Sequence, residues 1–242
     1  MPPSAHRRPV SGTSPEPGRP SLEIRAWTCP ARPCEAWQEE LRAFRGRVIH
    51  DGGRRPRFKV GDGLFADPDR HDAHAYHILA RNAAGGPLTG SVRLTPLGAA
   101  TRGRVMALAG AEAGRLLAAG GYAPSDTGEG ARLVVAEDAR ARGVGRLLVV
   151  AGTVLLEQLG LRLAVILAGT RDGQHEILRR MGFTEVSPTR YPLPEVEDEA
   201  VLMACTPADL PARDRQLAAE LRPVVADLLR VTGREECSCA RT

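Results

Sequence analysis

One stretch of the chain constrains its fold more than any other. An apolar run at 131–136 is followed by a glycine-containing loop, an apolar helical stretch at 145–159 and a second apolar run at 161–169. Two strands joined by one helical crossover lie parallel in a sheet. Strands that are apolar throughout are covered on both faces. The sequence therefore predicts a buried parallel pair within an α/β domain.

Hydrophobic periodicity predicts the remaining elements. Two apolar runs, 75–82 and 88–97, flank a Gly/Pro turn and predict an antiparallel hairpin. Residues 50–72 are predicted to be a loop. The other predicted elements are strands at 22–29 and 200–206 and helices at 35–49, 108–121, 173–181 and 208–231. The order β-α-β-β-α-β-α-β-α-β predicts a mixed α/β sheet with flanking helices.

Composition divides the chain into three parts. Residues 1–20 are rich in Pro, Ser, Arg and Gly without periodicity, so we expect a disordered tail. Residues 21–206 form the predicted domain, and 207–242 form an appended helix and tail, with a bend expected at Pro223. The helix allows either a monomer or a homodimer.

Charge and apolar content exclude several classes of protein. The 33 basic and 29 acidic residues give a net charge of +4, which suits anionic ligands such as phosphates or an acidic carrier protein. Aromatic residues make up 4%, which disfavours nucleic-acid binding. The longest apolar stretch, 147–156, falls short of the roughly 18 residues of a membrane span, and the start of the chain lacks the apolar segment of a secretory signal. We expect a soluble, cytoplasmic protein.

The cysteines do not indicate a disulfide framework or a metal site. The chain has five cysteines, and none of them forms a CxxC pair. A zinc site joining Cys237 and Cys239 to Cys29 and Cys34 has the wrong ligand spacing for common sites, so no metal is predicted.

The loop between the two apolar strands carries the pattern Arg140-x-x-Gly143-x-Gly145 and opens a helix. Glycines allow close approach of the backbone to a ligand, and the first N–H groups of a helix are unpaired donors with a positive dipole end. Such a loop can hold a pyrophosphate. The alternative is an ordinary strand-to-helix turn with solvated arginines. The predicted phosphate-binding residues are Arg140, Ala141, Arg142, Gly143, Val144, Gly145 and Arg146.

This strand–loop–helix–strand order, followed by a short helix and Arg-Met-Gly-Phe at 180–183, resembles the Gcn5-related N-acyltransferase superfamily over about residues 22–206. The resemblance implies a mostly antiparallel sheet with a splayed parallel pair. It implies that the loop binds the pyrophosphate of acyl-CoA or acetyl-CoA. It further implies that the backbone of Leu133, Val134 and Val135 binds the pantetheine and the thioester.

Upstream motifs are similar to one branch of that superfamily, the autoinducer synthases and long-chain N-acyl amino acid synthases. They are Asp69-x-x-Asp72, the segment 90–94 containing Arg93, Glu129-x-x-Arg132, and F-R-x-x-V-I at 44–49, which contains Arg45. Donors in that branch include acyl carrier protein. Because the full glycine motif is present, we favour acyl-CoA here. The superfamily often has Asn and Tyr where this chain has Arg171 and Leu178, so the usual acid for the leaving thiolate is missing.

Acyl transfer to an amine needs a base, an oxyanion donor and aligned substrates. Glu129, at the mouth of the thioester strand, is the predicted base; the alternative is an ion pair with Arg132 or Arg93. The backbone N–H groups of Val134 or Val135 are the predicted oxyanion donors.

The acceptor is predicted to meet two sets of charged residues. Asp69 and Asp72 would bind its ammonium, and Arg45, Arg93 and Arg132 its carboxylate, because guanidinium binds carboxylate through two hydrogen bonds. Loop-capping and structural roles are the alternatives. The arginines at 54, 55 and 57 could bind phosphates or a carrier protein; the alternative is a loop whose side chains are solvated. His74 and His77 are interpreted as core or rim residues on one strand face.

The sequence therefore predicts an N-acyltransferase that moves an acyl group directly from acyl-CoA, or an acyl carrier protein, to the primary amine of a small amino-acid-like acceptor. One alternative is an acetyltransferase acting on an amino sugar, an antibiotic or a protein amine. The other is a non-catalytic acyl-CoA-binding sensor, which the missing tyrosine would suit.

Overall fold

A computed structural model describes residues 20–27, 35–98, 103–193, 195 and 197–239, with side chains described as far as residue 232. The predicted disordered tail lies outside the described residues except for its last position, residue 20. Cys29 and Cys34 also lie outside them.

The described strands are β1 (Ser21–Trp27), β2 (Lys59–Gly61), β3 (Leu64–Phe65), β4 (Ala75–Arg81), β5 (Leu88–Pro96), β6 (Thr127–Val135), β7 (Leu163–Gly169), β8 (Thr184–Leu193) and β9 (Asp198–Cys205). Seven of them form one sheet in the order β1-β4-β5-β6-β7-β9-β8. Only β6 and β7 are parallel among the paired neighbours of this described sheet, which confirms the predicted mixed, mostly antiparallel class and the hairpin of β4 and β5. β2 and β3 form a separate two-stranded sheet.

Helices cover both faces of the large sheet. They are α1 (Ala36–Asp51), α2 (Arg104–Gly120), α3 (Glu137–Arg140), α4 (Val144–Gln158), α5 (Gln174–Arg179) and α6 (Ala212–Cys239). α1 packs Leu41 and Phe44 against one face, which α2 also covers. On the other face α4 buries an apolar side along its length, and α6 adds Leu221 and Val225 to the same cluster. No helix in the described part of the chain is long and apolar enough to cross a membrane.

The parallel pair separates soon after it forms. β6 pairs with β7 only at 127–129 against 163–165. The predicted parallel pairing is therefore confirmed, but it precedes the 131–136 run instead of involving it. The register of β6 against β5 also shifts between Ser91 and Arg93, and Arg132 has a positive φ of 54°. The bulge and the divergence open a slot beside the second half of β6.

Some boundaries differ from the prediction. No element was predicted where β8 lies, and the β2–β3 pair lies within the predicted loop 50–72. α2 begins at Arg104 instead of residue 108, and α6 continues through Pro223 to Cys239. These differences leave the order of elements around the slot unchanged.

Candidate active site

The predicted phosphate loop lies at the open end of the slot. Gly143 is the N-cap of α4 with φ 76°, a left-handed conformation that suits glycine, and no side chain caps this helix. The first N–H groups of α4 therefore have no partner within the helix. A cavity of about 600 Å³ adjoins them. Its wall includes Val134, Val135, Arg140, Gly143, Gly145 and Arg146.

The loop arginines differ in their partners. Arg142 pairs with Asp138 at 2.8 Å, and Arg146 with Asp214 at the start of α6. Arg140 contacts the backbone oxygen of Val135 at 3.4 Å, and within the described residues no carboxylate pairs with it. Arg140 is thus the loop side chain whose charge is available to an anion. Ala141 and Val144 contribute backbone, as the C-cap of α3 and the first residue of α4.

Three cavities meet in the slot. Besides the 600 Å³ cavity, one of about 150 Å³ reaches Glu129, and an apolar one of about 90 Å³ extends between the sheet and α4. Leu133 and Gln174 line all three. Gln174 was not predicted as a site residue, although it stands at the start of the predicted short helix. Its side-chain oxygen accepts a hydrogen bond from the N–H of Gly169 at 3.2 Å.

Glu129 lies at the inner end of the 150 Å³ cavity and is 1% exposed. Its carboxylate accepts hydrogen bonds from the N–H groups of Arg104 at 3.0 Å and Val105 at 2.8 Å, so it binds the N-terminus of α2. The expected alternatives, ion pairs with Arg132 or Arg93, do not form among the described residues. Burial raises the pKa of Glu129, although these two N–H groups and the charge of Arg93 oppose the rise.

Three arginines and three aspartates form a closed ring of charge beside Glu129, which we call the charge ring. Its members are Arg45, Asp67, Asp69, Asp72, Arg93 and Arg132. Each arginine contacts two aspartates and each aspartate contacts two arginines, so three positive charges balance three negative ones. Five of the six members were predicted as site residues; the sixth, Asp67, was not, although it lies two residues before Asp69 in the same Asp-rich loop.

The contacts of the ring link distant elements. Arg45 of α1 donates to Asp72 at 2.9 Å, and Arg93 of β5 donates to the same carboxylate at 2.9 Å. Arg132 of β6 and Arg93 both contact Asp69, at 2.8 and 3.0 Å. Arg45 also contacts Asp67 at 3.2 Å. The ring thus fixes α1, the loop before β4, and the bulge of β6 relative to one another.

Burial and charge both act on the ring. Arg45 and Arg93 are each 1% exposed, whereas Asp69 and Arg132 have side chains 9% and 15% exposed. Burial opposes ionisation of Asp72, but the hydrogen bond and charge of Arg45 outweigh it and lower the pKa of Asp72. The five predicted residues therefore lie together in the ring and pair with one another or with Asp67, and their roles toward an acceptor stay predictions.

The two histidines do not share a face, and that prediction is wrong because they stand three residues apart. His74 is exposed with φ 63° before β4 begins, and His77 is buried inside the strand. The ring of His77 packs beside Trp27 and Trp37 and contacts the backbone oxygen of Asp72 at 3.0 Å. Burial lowers the pKa of His77 to about 4, so it is neutral at pH 7.

Further arginines line the outer wall of the 150 Å³ cavity. Arg54 pairs with Asp172. Arg55 and Arg104 share the carboxylate of Glu195, and Arg55 is 8% exposed. Two of the three arginines expected to contact phosphates, a carrier protein or solvent thus belong to this cavity.

A buried leucine occupies the position where the superfamily often has a tyrosine. This residue, Leu178, lines the slot.

Burial raises the pKa of the Cys205 thiol to about 12, which makes it a poor nucleophile. Within the described residues, no group of three or more His, Cys, Asp or Glu side chains could hold a metal ion.

Known structures share this architecture. TofI, solved in a ternary complex with an inhibitor and MTA, superposes with a TM-score of 0.56 and 18% identity over 84% of this chain and 98% of that one. BjaI, a CoA-dependent acyl-homoserine lactone synthase solved with MTA, gives 0.53 and 18% over 84% and 90%. FeeM, an N-acyl amino acid synthase from uncultured soil microbes, gives 0.51 and 14% over 78% and 92%. The predicted fold is confirmed. No family model and no curated protein matches the sequence.

Proposed function

We propose that this chain is an N-acyltransferase that uses acyl-CoA and acylates the amine of a small amino-acid-like acceptor. The observation that carries the proposal is the slot, in which the cavity at the N-terminus of α4 and the cavity at Glu129 share Leu133, Val134 and Gln174 as lining residues. One end offers unpaired N–H groups for a pyrophosphate, and the other holds a carboxylate of raised pKa. BjaI, an acyl-homoserine lactone synthase, and FeeM, an N-acyl amino acid synthase, have the same fold, and this supports an acyl-transfer reaction for the chain.

The donor would lie along β6. Because β7 diverges after residue 129, the edge of β6 at 130–135 faces the slot instead of a neighbouring strand. Its backbone N–H and C=O groups are then available to the amides of a pantetheine arm. The glycines of the loop and the charge of Arg140 suit a CoA pyrophosphate more than the single phosphate of a carrier protein. This favours acyl-CoA as donor.

The apolar cavity favours a donor with a chain longer than acetyl. It passes between the sheet and α4, with walls from Val92, Leu94, Leu148, Val149, Leu156 and Phe183. An acetyl group would leave this space unfilled, whereas a longer chain would bury its methylenes there, at roughly 0.8 kcal/mol for each CH₂.

The reaction would proceed by direct transfer. Glu129 takes a proton from the acceptor ammonium, directly or through water, and the free amine attacks the thioester carbonyl. The backbone N–H of Val134 or Val135 stabilises the tetrahedral oxyanion. The C–S bond then breaks, an amide C–N bond has formed, and CoA leaves as thiolate. The nitrogen of the tetrahedral intermediate gives its second proton to water, and, with Leu178 at the usual tyrosine position, the thiolate takes a proton from water. Glu129 then returns its own proton to solvent.

The first test is a thermal-shift and native mass-spectrometry screen with CoA, acetyl-CoA, octanoyl-CoA and palmitoyl-CoA. Tighter binding of the longer acyl-CoAs is expected; preference for acetyl-CoA would indicate an ordinary acetyltransferase. Adding a panel of amino acids and following thiol release then separates an enzyme from a sensor. Binding without thiol release from any acceptor would contradict the proposed activity, and no binding would direct attention to carrier-protein donors.

A further inference from the structure

Arg55 and Arg104 form a cationic pair on the wall of the 150 Å³ cavity, outside the charge ring. Nη2 of Arg55 lies 3.4 Å from Oε1 of Glu195, and Nη2 of Arg104 contacts the same oxygen. We propose that this pair binds the carboxylate of the acceptor, and that Glu195 competes with the acceptor for it. The inference rests on the proposed function and specifies its acceptor as a free amino acid.

The two guanidinium groups have more positive charge and more N–H donors than the single carboxylate of Glu195 uses, so the pair can bind a second anion. Two guanidinium groups face one carboxylate, which leaves one positive charge without a counter-charge in this cluster. Each guanidinium has five N–H donors, and here both direct a nitrogen at one oxygen. Burial first, and then the charges of Arg132 and Arg104, lower the pKa of Arg55 to about 10. A bound carboxylate would offset this repulsion.

Two other arginines on the cavity wall, Arg132 and Arg54, have carboxylates of their own, and Arg171, on the same wall, is not free either. Arg132 makes two hydrogen bonds to Asp67, and Arg54 pairs with Asp172. Arg45 and Arg93 belong to the charge ring and are almost fully buried. An acceptor carboxylate directed at those residues would have to displace an aspartate from the ring. At Arg55 and Arg104 it would displace or join only Glu195, which is about one quarter exposed.

Arg104 also relates this pair to the catalytic candidate. Its backbone N–H donates to Glu129 at 3.0 Å, and its side chain extends to Glu195. One residue therefore spans the distance between the predicted base and the anion site. In an amino acid, few bonds separate the carboxylate from the amine. An acceptor held by the guanidinium of Arg104 would thus lie in the cavity that Glu129 also lines.

The test compares two product-like probes, N-octanoyl-L-leucine and its carboxamide, by isothermal titration calorimetry. The parent should bind the carboxylate about tenfold more tightly than the amide, the effect expected of one charge-assisted contact. Arg55→Gln and Arg104→Gln should each remove that preference. Arg57→Gln, an exposed neighbour outside the cavity, is the matched control and should retain it. If one variant fails to fold, the other still answers the question.

Glu195→Gln provides a readout that a merely structural role would not give. Because it removes the competing carboxylate, it should tighten binding of N-octanoyl-L-leucine and leave the carboxamide unchanged. Equal binding of the two probes by the parent, no binding of either, or weaker carboxylate binding by Glu195→Gln would overturn the inference. Thiol release tests the proposed function separately. If the parent prefers the carboxylate probe but releases no thiol with any acceptor, the anion site is supported and the proposed acyltransferase activity is contradicted.

Discussion

Arg132 donates from Nε and Nη2 to the two carboxylate oxygens of Asp67, at 2.8 and 3.1 Å, across 65 residues of sequence. This two-point pair fixes the bulge of β6, the strand that borders the slot, to the loop before β4. Asp67→Asn would leave three guanidinium groups facing two carboxylates. Because a buried charge without its partner is costly, we expect the free energy of unfolding to fall by about 3 kcal/mol.

Urea denaturation measures this loss. The double variant Asp67→Asn/Arg132→Gln restores two positive charges to two negative ones, and it should lose less stability than the sum of the single variants. Strictly additive losses would contradict the interpretation of the ring as one electrostatic unit.

Glu129→Gln should lower kcat about a hundredfold, the usual contribution of a general base, without changing the Kd for octanoyl-CoA. The parent should lose activity in acid as Glu129 becomes protonated, at a pH above the ordinary range for a carboxyl group. The variant should lack that acid limb. Glu112→Gln is the matched control, because Glu112 is also buried and accepts a hydrogen bond from the hydroxyl of Tyr191, outside the cavities described above. If Glu129→Gln has the same kcat and the same pH profile as the parent, Glu129 is not the general base.

Gly143→Glu should weaken CoA binding at least about tenfold, because a carboxylate at the N-cap of α4 would repel the pyrophosphate. Gly85→Glu is the matched control. Its φ of 71° is close to the 76° of Gly143, and both have open space for a Cβ atom, but Gly85 lies in the β4–β5 turn. Both variants should lose similar stability. Unchanged CoA affinity in Gly143→Glu would refute the phosphate-loop assignment.

Ala164→Leu should change the donor preference. Ala164 of β7 lines the apolar cavity, and a larger side chain would occupy space proposed for the acyl chain. We expect weaker binding of octanoyl-CoA and palmitoyl-CoA and unchanged binding of acetyl-CoA, which serves as the internal control. Equal loss for all three donors would show that the substitution distorts the slot and does not shorten the chain pocket.

The lowered pKa of His77 should make the free energy of unfolding depend on pH. That pKa is about 4 in the folded chain and about 6.5 in an unfolded one, so between these values only the unfolded state binds the proton. The free energy of unfolding should therefore fall as pH drops from about 6.5 to about 4, by up to roughly 3 kcal/mol. His77→Gln should flatten this dependence. His71→Gln, at a partly exposed histidine, should flatten it less; an unchanged slope in His77→Gln would contradict the assignment.

Much of the slot could be predicted because its signals are local. The loop glycines, the apolar strand before them and the helix after them follow one another in sequence. The start of β6 at Thr127 could not be predicted, because Gly128 and Gly130 disfavour a strand by propensity. A Cβ atom at Gly128 would lie 2.8 Å from Leu94, and one at Gly130 would lie 2.9 Å from Ile166. Packing across the sheet requires the glycines, and packing is not visible in sequence.

The missed strand β8 has a different cause. It is an edge strand with Pro188 and Pro192, and most of its residues are at least partly exposed, so no apolar alternation marks it. The charge ring was missed in part for a similar reason. Asp67 looks like any acidic loop residue until Arg45 and Arg132, far away in sequence, are brought against it.

α6 relates the two ends of the described chain. The hydroxyl of Thr232 donates to the backbone oxygen of Ile24 in the edge strand β1, 208 residues earlier, at 3.0 Å. A chain leaves the ribosome from its N-terminus, so β1 emerges long before the helix that binds it. Until Thr232 has been synthesised, β1 lacks this contact, and an exposed strand edge is a template for pairing with other chains. The helical turns near Thr232 thus contact this edge strand only after the rest of the described sheet has been synthesised.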